Sequence, residues 1–408
     1  MSRLGAILLS SIWWTLTLAM TLTSAFMSVV TYFIVTPLSV LLLPVLASGG
    51  AWREIRRQRI LALFALAFAL LGVAFTITAR QPHDILFVLN FAPMLLAAPV
   101  LVVATRLAGP VTVQRVLLLC LAGAVIAVGW GLYEVIVRHY DRASGILTGA
   151  LIYSRAAMLF GFVAGAGSLI GNNPRRYLFL FGPVLGIAAS VLGGARGVLL
   201  CAPFLLLLLF VFLLAGRTRR ERWLIVGGLA AVGLVVAGAA LTTVNVGRFT
   251  DIPNQIINAF TGHGEATDLS TRQRLDFYAA GWTLFTQSPL FGYGWANFRA
   301  AAWTIIDPVR YDDFFSFHND FLNFAVAGGV LGIAALILML IAPVAGVLAT
   351  PRDSLFRPRL YAASAASLLY ALGGLTDYVL GFDMPTAGYA FTTAIVIGAF
   401  RERLPSPA

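Results

Sequence analysis

The chain has 408 residues, 60% hydrophobic and only 11% charged, with a mean hydropathy of +0.89. Soluble domains carry roughly 25% charged residues, and a chain of this length has too little interior to hide so much apolar surface from water. All 28 basic residues are arginine, giving a formal net charge of +11; that balance suggests nucleic acid in a soluble protein, but here the arginines punctuate apolar runs, so the bilayer is the expected partner and nucleic acid is not.

The apolar runs fall at about 5–23, 27–47, 60–78, 84–104, 116–137, 147–170, 177–194, 197–215, 223–243, 318–348, 360–380 and 384–400. Most are about twenty residues long, the length a helix needs to cross a bilayer, and not the alternating tens of a membrane barrel. An all-α integral membrane protein with about 12 transmembrane helices is therefore predicted. The first run has no clear small-residue cleavage site and reads as a span, not a removable signal peptide. Cys120 and Cys201 lie inside apolar runs and read as buried hydrophobes, not a disulfide.

Arginine-dense links at 52–59, 105–115, 172–176, 216–222 and 350–359 alternate with arginine-poor ones at 79–83 and 381–385. Twelve spans place both termini and every arginine-dense link on one side, which the positive-inside tendency makes cytoplasmic. Three regions follow: residues 1–243 with about nine spans, an external loop at 244–317, and residues 318–408 with about three spans.

The loop at 244–317 is too long to be a mere connection. Within it, "STRQRLDFYAAGWTLF" puts Leu275, Tyr278, Ala279, Trp282 and Phe285 on one helical stripe. Ser270 and Gln273 have capping-box spacing, which predicts a helix start near 271. "SPLFGYGWANF" (288–298) supplies Pro and Gly turns. The loop is expected to lie against the membrane surface as a lid.

His318 stands at the threshold of the tenth run, at the positive end of a helix dipole, which favours the neutral imidazole a general base requires. The alternative is an interfacial histidine that only hydrogen-bonds headgroups. Arg272 and Arg274 fall in the first turn of the loop helix, where cations oppose the dipole unless an anion is bound. The alternative there is a solvated pair partnered by Asp268 or Asp276. Arg196, in "GGARGVLL", sits between two apolar runs and either faces an anion or snorkels outward. A base beside permanent positive charge suits a lipid-linked pyrophosphate, whose departure needs charge stabilisation and no proton.

Asp312 and Asp313 are adjacent carboxylates, but no DxD pattern or His/Cys cluster accompanies them, so no metal and no cofactor are expected. Asp84, Glu134, Asp377 and Asp383 read as interfacial groups near span ends. Gly328, Gly329 and Gly332 read as close-packing positions between helices.

His318-Asn319, nine further residues and then Gly329-Val330-Leu331-Gly332 resemble the signature of the O-antigen ligase family. "RLDFYAAGWTLFTQSPLFGYGWANF" (274–298) resembles that family's arginine-bearing helix and the turn after it, and "GGARG" its short arginine turn. The resemblance implies a GT-C-like, metal-independent, inverting glycosyltransferase in the bacterial inner membrane with its site facing the periplasm. It implies undecaprenyl-pyrophosphate-linked glycan as donor and the lipid A core as acceptor. By the same resemblance His318 is the base, and Arg196, Arg274 and the nearby Arg272 bind pyrophosphate. Polysaccharide polymerases share the resemblance and the donor class, so the acceptor stays open. A twelve-span transporter or flippase is the reading from another class; the absence of a half-chain repeat argues against it.

Overall fold

The computed structural model describes residues 3–215, 218–223, 226–227, 269–307, 309–311 and 314–402. Its helices are α1 (Arg3–Thr23), α2 (Ser28–Leu41), α3 (Ala51–Arg56), α4 (Arg59–Thr78), α5 (Ala92–Arg106), α6 (Pro110–Leu132), α7 (Ala150–Gly165), α8 (Phe181–Leu192), α9 (Arg196–Leu199), α10 (Ala202–Leu214), α11 (Leu269–Gln287), α12 (Phe298–Ala302), α13 (Asp320–Leu348), α14 (Phe356–Gly373) and α15 (Asp383–Ala399). No strand occurs among the described residues. Helices satisfy their own backbone groups, which apolar segments in a bilayer require. The protein is an all-α integral membrane protein.

Nine stretches among the described residues are long and apolar enough to cross a membrane, and they match the first eight expected runs and the tenth. Most of the expected run 223–243 lies outside the described residues. The last two expected runs differ from the prediction. α15 is apolar but only 17 residues long, and α14 carries Arg357 and Arg359 near its start. α14 also ends at Gly373 instead of running to 380. Gly374 continues into a turn, and that turn carries Asp377.

Hydrogen bonds sort the links onto two faces. On one face Arg106 reaches Ser48, Arg401 reaches Gln58, and Arg357 reaches the carbonyls of Phe212 and Ala215. On the other, Ile146 bonds Phe26, Ala143 bonds Leu192, and Asn297 bonds Asp84. Links of alternate parity thus gather at opposite ends of the bundle.

Among the nine stretches that of α7 is the most buried, at 83% against 28–50% for the other eight, and the residues 384–399 of α15 are buried throughout. α7 crosses α8 at Gly161 and Gly182, where a Cβ on either residue would stand 2.4 or 2.5 Å from the other's carbonyl oxygen. Only glycine permits that approach.

α13 has 29 residues, about 43 Å at 1.5 Å per residue. It is interrupted at Gly329, where φ is 59° and ψ is −145°. The turn after α11 docks into this break. Val326 O accepts from Tyr293 N at 2.8 Å, Ala327 O accepts from Gly294 N at 2.9 Å, and Val330 N donates to Pro289 O at 2.8 Å. Backbone groups freed by the break are thereby paired with protein, as an apolar surrounding demands. Gly329 is therefore a left-handed hinge position, not simply a helix-packing glycine: a Cβ there would lie 2.3 Å from the Leu290 carbonyl carbon.

α11 presents a different face from the one expected. Phe277, Ala280 and Leu284 are buried, while Leu275 and Trp282 of the predicted stripe are exposed. Two apolar stripes run along this helix, and packing against α13 selects the one that fits Phe317 and Leu322 beside Gly281. The helix also begins by Leu269, so Ser270 lies inside it and not at its cap.

Candidate functional site

The site forms where four segments converge: the lead into α13, the turn 374–382, the second turn of α7, and α11. Asn319 caps α13, its side-chain oxygen accepting from Leu322 N at 3.2 Å. Its amide nitrogen donates to Leu375 O at 3.1 Å, tying the two loops together. His318, immediately before this cap, has φ of 48°. Left-handed backbone at a non-glycine residue costs on the order of 1–3 kcal/mol and persists only when its surroundings hold it. Here they do. His318 N donates to Ser316 Oγ at 3.2 Å, and the Tyr278 hydroxyl of α11 lies 3.2 Å from His318 O and 3.1 Å from Leu375 O.

This backbone turns the imidazole towards Asp377, with Nδ1 3.2 Å from Asp377 Oδ1. The other carboxylate oxygen, Oδ2, accepts from Arg155 at 2.7 Å. Arg155 and Asp377 have side chains only 2% and 4% exposed, whereas that of His318 is 21% exposed. A buried ion pair is thus bonded on its outer side to a histidine that solvent reaches. Burial pushes the Asp377 carboxyl up, but the His318 hydrogen bond and the Arg155 guanidinium outweigh it and hold the group below its ordinary value. An ionised Asp377 is an acceptor for a proton on Nδ1, the arrangement that leaves Nε2 as the second, outer nitrogen of the ring.

The turn carrying Asp377 is held by Asp320, the first residue of α13. Its two carboxylate oxygens accept from Val379 N and Leu380 N, each at 2.9 Å, and its own N–H donates to Gly374 O at 2.7 Å. Asp320 is 1% exposed. Both ends of the turn therefore hang on one residue that is two positions from His318.

Of the arginines singled out in the sequence, Arg196 opens α9 and is half-buried. The next residue, Gly197, packs so closely on Thr376 that a Cβ would stand 2.5 Å from its hydroxyl, which brings the arginine turn beside the Asp377 turn. Arg274 lies one helical turn before Tyr278, and its charge acts on the Tyr278 hydroxyl. Arg272 is exposed, and its charge acts on Tyr311 instead. Asp276 bonds Tyr311 and stands 3.8 Å from Arg310, so the ion-pair partner described for it is Arg310. Asp268, Asp312 and Asp313 lie outside the described residues.

Two members of the site were not read correctly from the sequence. Asp377 was expected to be an interfacial group and is 3% exposed in the bundle. Arg155 was not singled out, although an arginine inside an apolar run is a signal in itself. Asp84 and Glu134, also expected at the interface, are buried staples: Asp84 accepts from Arg80 N, Gln81 N and Asn297, and Glu134 from Ser144 N and Gly145 N. Among the described residues no group of three His, Cys, Asp or Glu gathers as a metal site would require.

Residues 181–337 match the O-antigen ligase family. The match supports an O-antigen ligase family assignment and a ligase- or polymerase-type glycosyl transfer. It takes in Arg196, Arg272, Arg274 and His318, while Arg155 and Asp377 lie outside it on either side. No curated protein matches the chain.

Proposed function

We propose that this protein is the glycosyltransferase that moves a glycan from undecaprenyl pyrophosphate to a hydroxyl of the lipid A core. The observation that carries the reading is the His318–Asp377–Arg155 line, with an imidazole whose Nδ1 is engaged and whose side chain keeps 21% of its surface exposed. The acceptor oxygen attacks the anomeric carbon of the donor glycan from the side opposite the pyrophosphate. A new glycosidic C–O bond forms, the C–O bond to pyrophosphate breaks, and configuration inverts. The acceptor proton passes to His318 Nε2.

Undecaprenyl pyrophosphate leaves as an anion and needs positive charge, not a proton. Arg196 and Arg274 supply it in this reading, with Arg272 further out. Arginine offers a planar, multidentate and permanently charged partner for phosphate oxygens. The i−4 relation of Arg274 to Tyr278, whose hydroxyl touches the His318 backbone, favours Arg274 over Arg272 for the inner role. No step in this scheme uses a metal, and the reading makes the protein a GT-C-like enzyme.

The topology follows from charge. The face where Arg106, Arg357 and Arg401 tie the links together is the cytoplasmic one. His318 is then periplasmic, in the bacterial inner membrane, with both termini cytoplasmic.

The experiment is transfer by purified protein in lipid, with undecaprenyl-pyrophosphate-linked glycan as donor. One arm contains lipid A core and one has no added acceptor, with His318→Ala run alongside. Glycan on the core, lost in the variant, supports the ligase. Longer lipid-linked chains without core indicate a polymerase using the same donor. No product in either arm, with a donor that a related enzyme accepts, rejects glycosyl transfer and makes transport the next test.

A further inference from the structure

Three aromatic rings stand around the imidazole beside Asp377. Phe277 stacks on it at 6.3 Å between centroids with an interplanar angle of 7°, and Phe277 is 1% exposed. Phe315 meets it edge to face at 5.4 Å and 80°, and Tyr378 lies at 5.7 Å and 54°. Phe315 and Tyr378 also contact one another at 4.8 Å and 84°. Unlike Phe277, both are only half-buried. Phe277 is thus the buried ring against the imidazole, and Phe315 and Tyr378 are the two that stay partly open beside it.

Two aromatic walls are a poor surface for a pyrophosphate, which needs donors and positive charge. They suit a ring with an apolar face and a polar rim. Small-ligand sites are characteristically aromatic walls with few placed polar groups, and a pyranose has the matching character: its C–H face is apolar and its hydroxyls point outward. A sugar lying against Phe315 or Tyr378 would present a rim hydroxyl to the imidazole.

We infer that Phe315 and Tyr378 form the acceptor-sugar subsite, binding the pyranose that carries the attacking hydroxyl through its C–H face. The inference rests on the glycosyl-transfer reading above and adds to it the residues that hold the acceptor. The donor phosphates and the acceptor ring then occupy chemically distinct places: arginines from α9 and α11 on one hand, two aromatics from the segments 314–318 and 374–382 on the other.

The test is steady-state transfer with donor and acceptor varied separately. Removing ring-face contact acts on binding that ground and transition states share, so it raises KM with little change in kcat. Phe315→Ala and Tyr378→Ala are expected to raise the acceptor KM about tenfold each, as loss of an aromatic contact of ordinary strength does, leaving the donor KM unmoved. Tyr378→Phe is expected to restore what Tyr378→Ala loses, because the ring and not the hydroxyl makes the contact. Phe315→Leu and Tyr378→Leu keep the volume without the ring and are expected to behave like the alanine variants, which guards against simple loop collapse. A fall in kcat with both KM values unchanged would overturn the inference and make the rings supports for His318. A rise in the donor KM instead would assign them to the donor.

Calorimetric titration of core oligosaccharide into the His318→Ala protein, with no donor present, separates this inference from the transfer reading. Binding weakened by the ring substitutions supports the subsite even if transfer fails. Binding indifferent to them refutes it even if transfer succeeds.

Discussion

Arg155 on α7 and Asp377 in the turn after α14 are 222 residues apart in the chain and 2.7 Å apart in the structure. Both side chains are almost fully buried, and removing one member leaves the other buried and uncompensated. Breaking such a pair costs roughly 3–5 kcal/mol. Arg155→Met is expected to lower the thermal stability of the detergent-solubilised protein by about that amount. An unchanged melting temperature would mean that water reaches Asp377. Asp377→Asn keeps the shape and removes the charge, so it tests orientation more directly. It is expected to leave the protein folded while lowering transfer by about 10²–10⁴-fold, the range a misoriented base gives.

His318→Ala is expected to insert and fold normally and to lower transfer by about 10²–10⁴-fold. The side chain is 21% exposed and packs among Phe277, Phe315 and Tyr378, so the melting temperature of the variant is measured beside its transfer rate to separate stability from chemistry. Wild-type rates from a well-expressed variant would remove His318 from the mechanism.

Arg274→Lys keeps the charge but loses the planar fork that binds two phosphate oxygens at once. Transfer is expected to fall about tenfold or more. Arg272→Lys is expected to be nearly silent, because Arg272 is exposed and its charge acts on Tyr311. Equal losses at both positions, measured with the same donor, would refute the assignment of Arg274 to the inner role.

How much of this was legible in the sequence follows from the range of each signal. His318, Arg196 and Arg274 stand in local patterns where a charged group meets an apolar run, and reading along the chain finds them. Arg155 and Asp377 have no local relation to each other; only folding brings α7 beside the turn 374–382, so the pair escapes any windowed reading. The expected stripe on α11 failed for a related reason. Leu275, Tyr278 and Trp282 form as good a helical face as Phe277, Ala280 and Leu284, and periodicity cannot tell which one meets α13. The expected span at 360–380 ended early because Asp320 holds the turn after Gly373, its N–H on Gly374 O and its carboxylate on Val379 N and Leu380 N.

Stability should also depend on pH through Asp377. Its folded pKa lies below the ordinary carboxylate value of about 3.9, so the ionised form is the one the fold favours. That contribution is fully present above about pH 4 and is lost as pH falls through the lower folded value. The melting-temperature advantage of wild type over Asp377→Asn should therefore be level from neutral pH down to about 4 and shrink only below it. An advantage that already fades between pH 7 and 5 would show that Asp377 is not held ionised.

Gly329 and Gly292 give the last prediction, because they explain why the turn after α11 and the break in α13 need each other. Gly329 has φ of 59° and Gly292 has φ of 68°, and a Cβ on Gly292 would stand 2.4 Å from Val326 O. The turn pairs the carbonyls of Val326 and Ala327 that the break releases. Gly329→Ala forces a residue with a Cβ into φ 59° and ψ −145°, a sparsely populated region that costs about 1–3 kcal/mol, and aims a methyl group at the Leu290 backbone. The cheapest relief is to expel the turn, which would carry α11, and with it Tyr278 and Arg274, away from His318. Transfer is expected to fall at least tenfold, while hydrogen exchange rises at Tyr293 and Gly294, whose amides lose their acceptors. Membrane insertion should be unaffected, since residues 330–348 still provide about 28 Å of apolar helix at 1.5 Å per residue. Loss of activity with Tyr293 and Gly294 still protected would mean that the glycine acts on the site by another route, and that the docked turn does not couple α11 to the histidine.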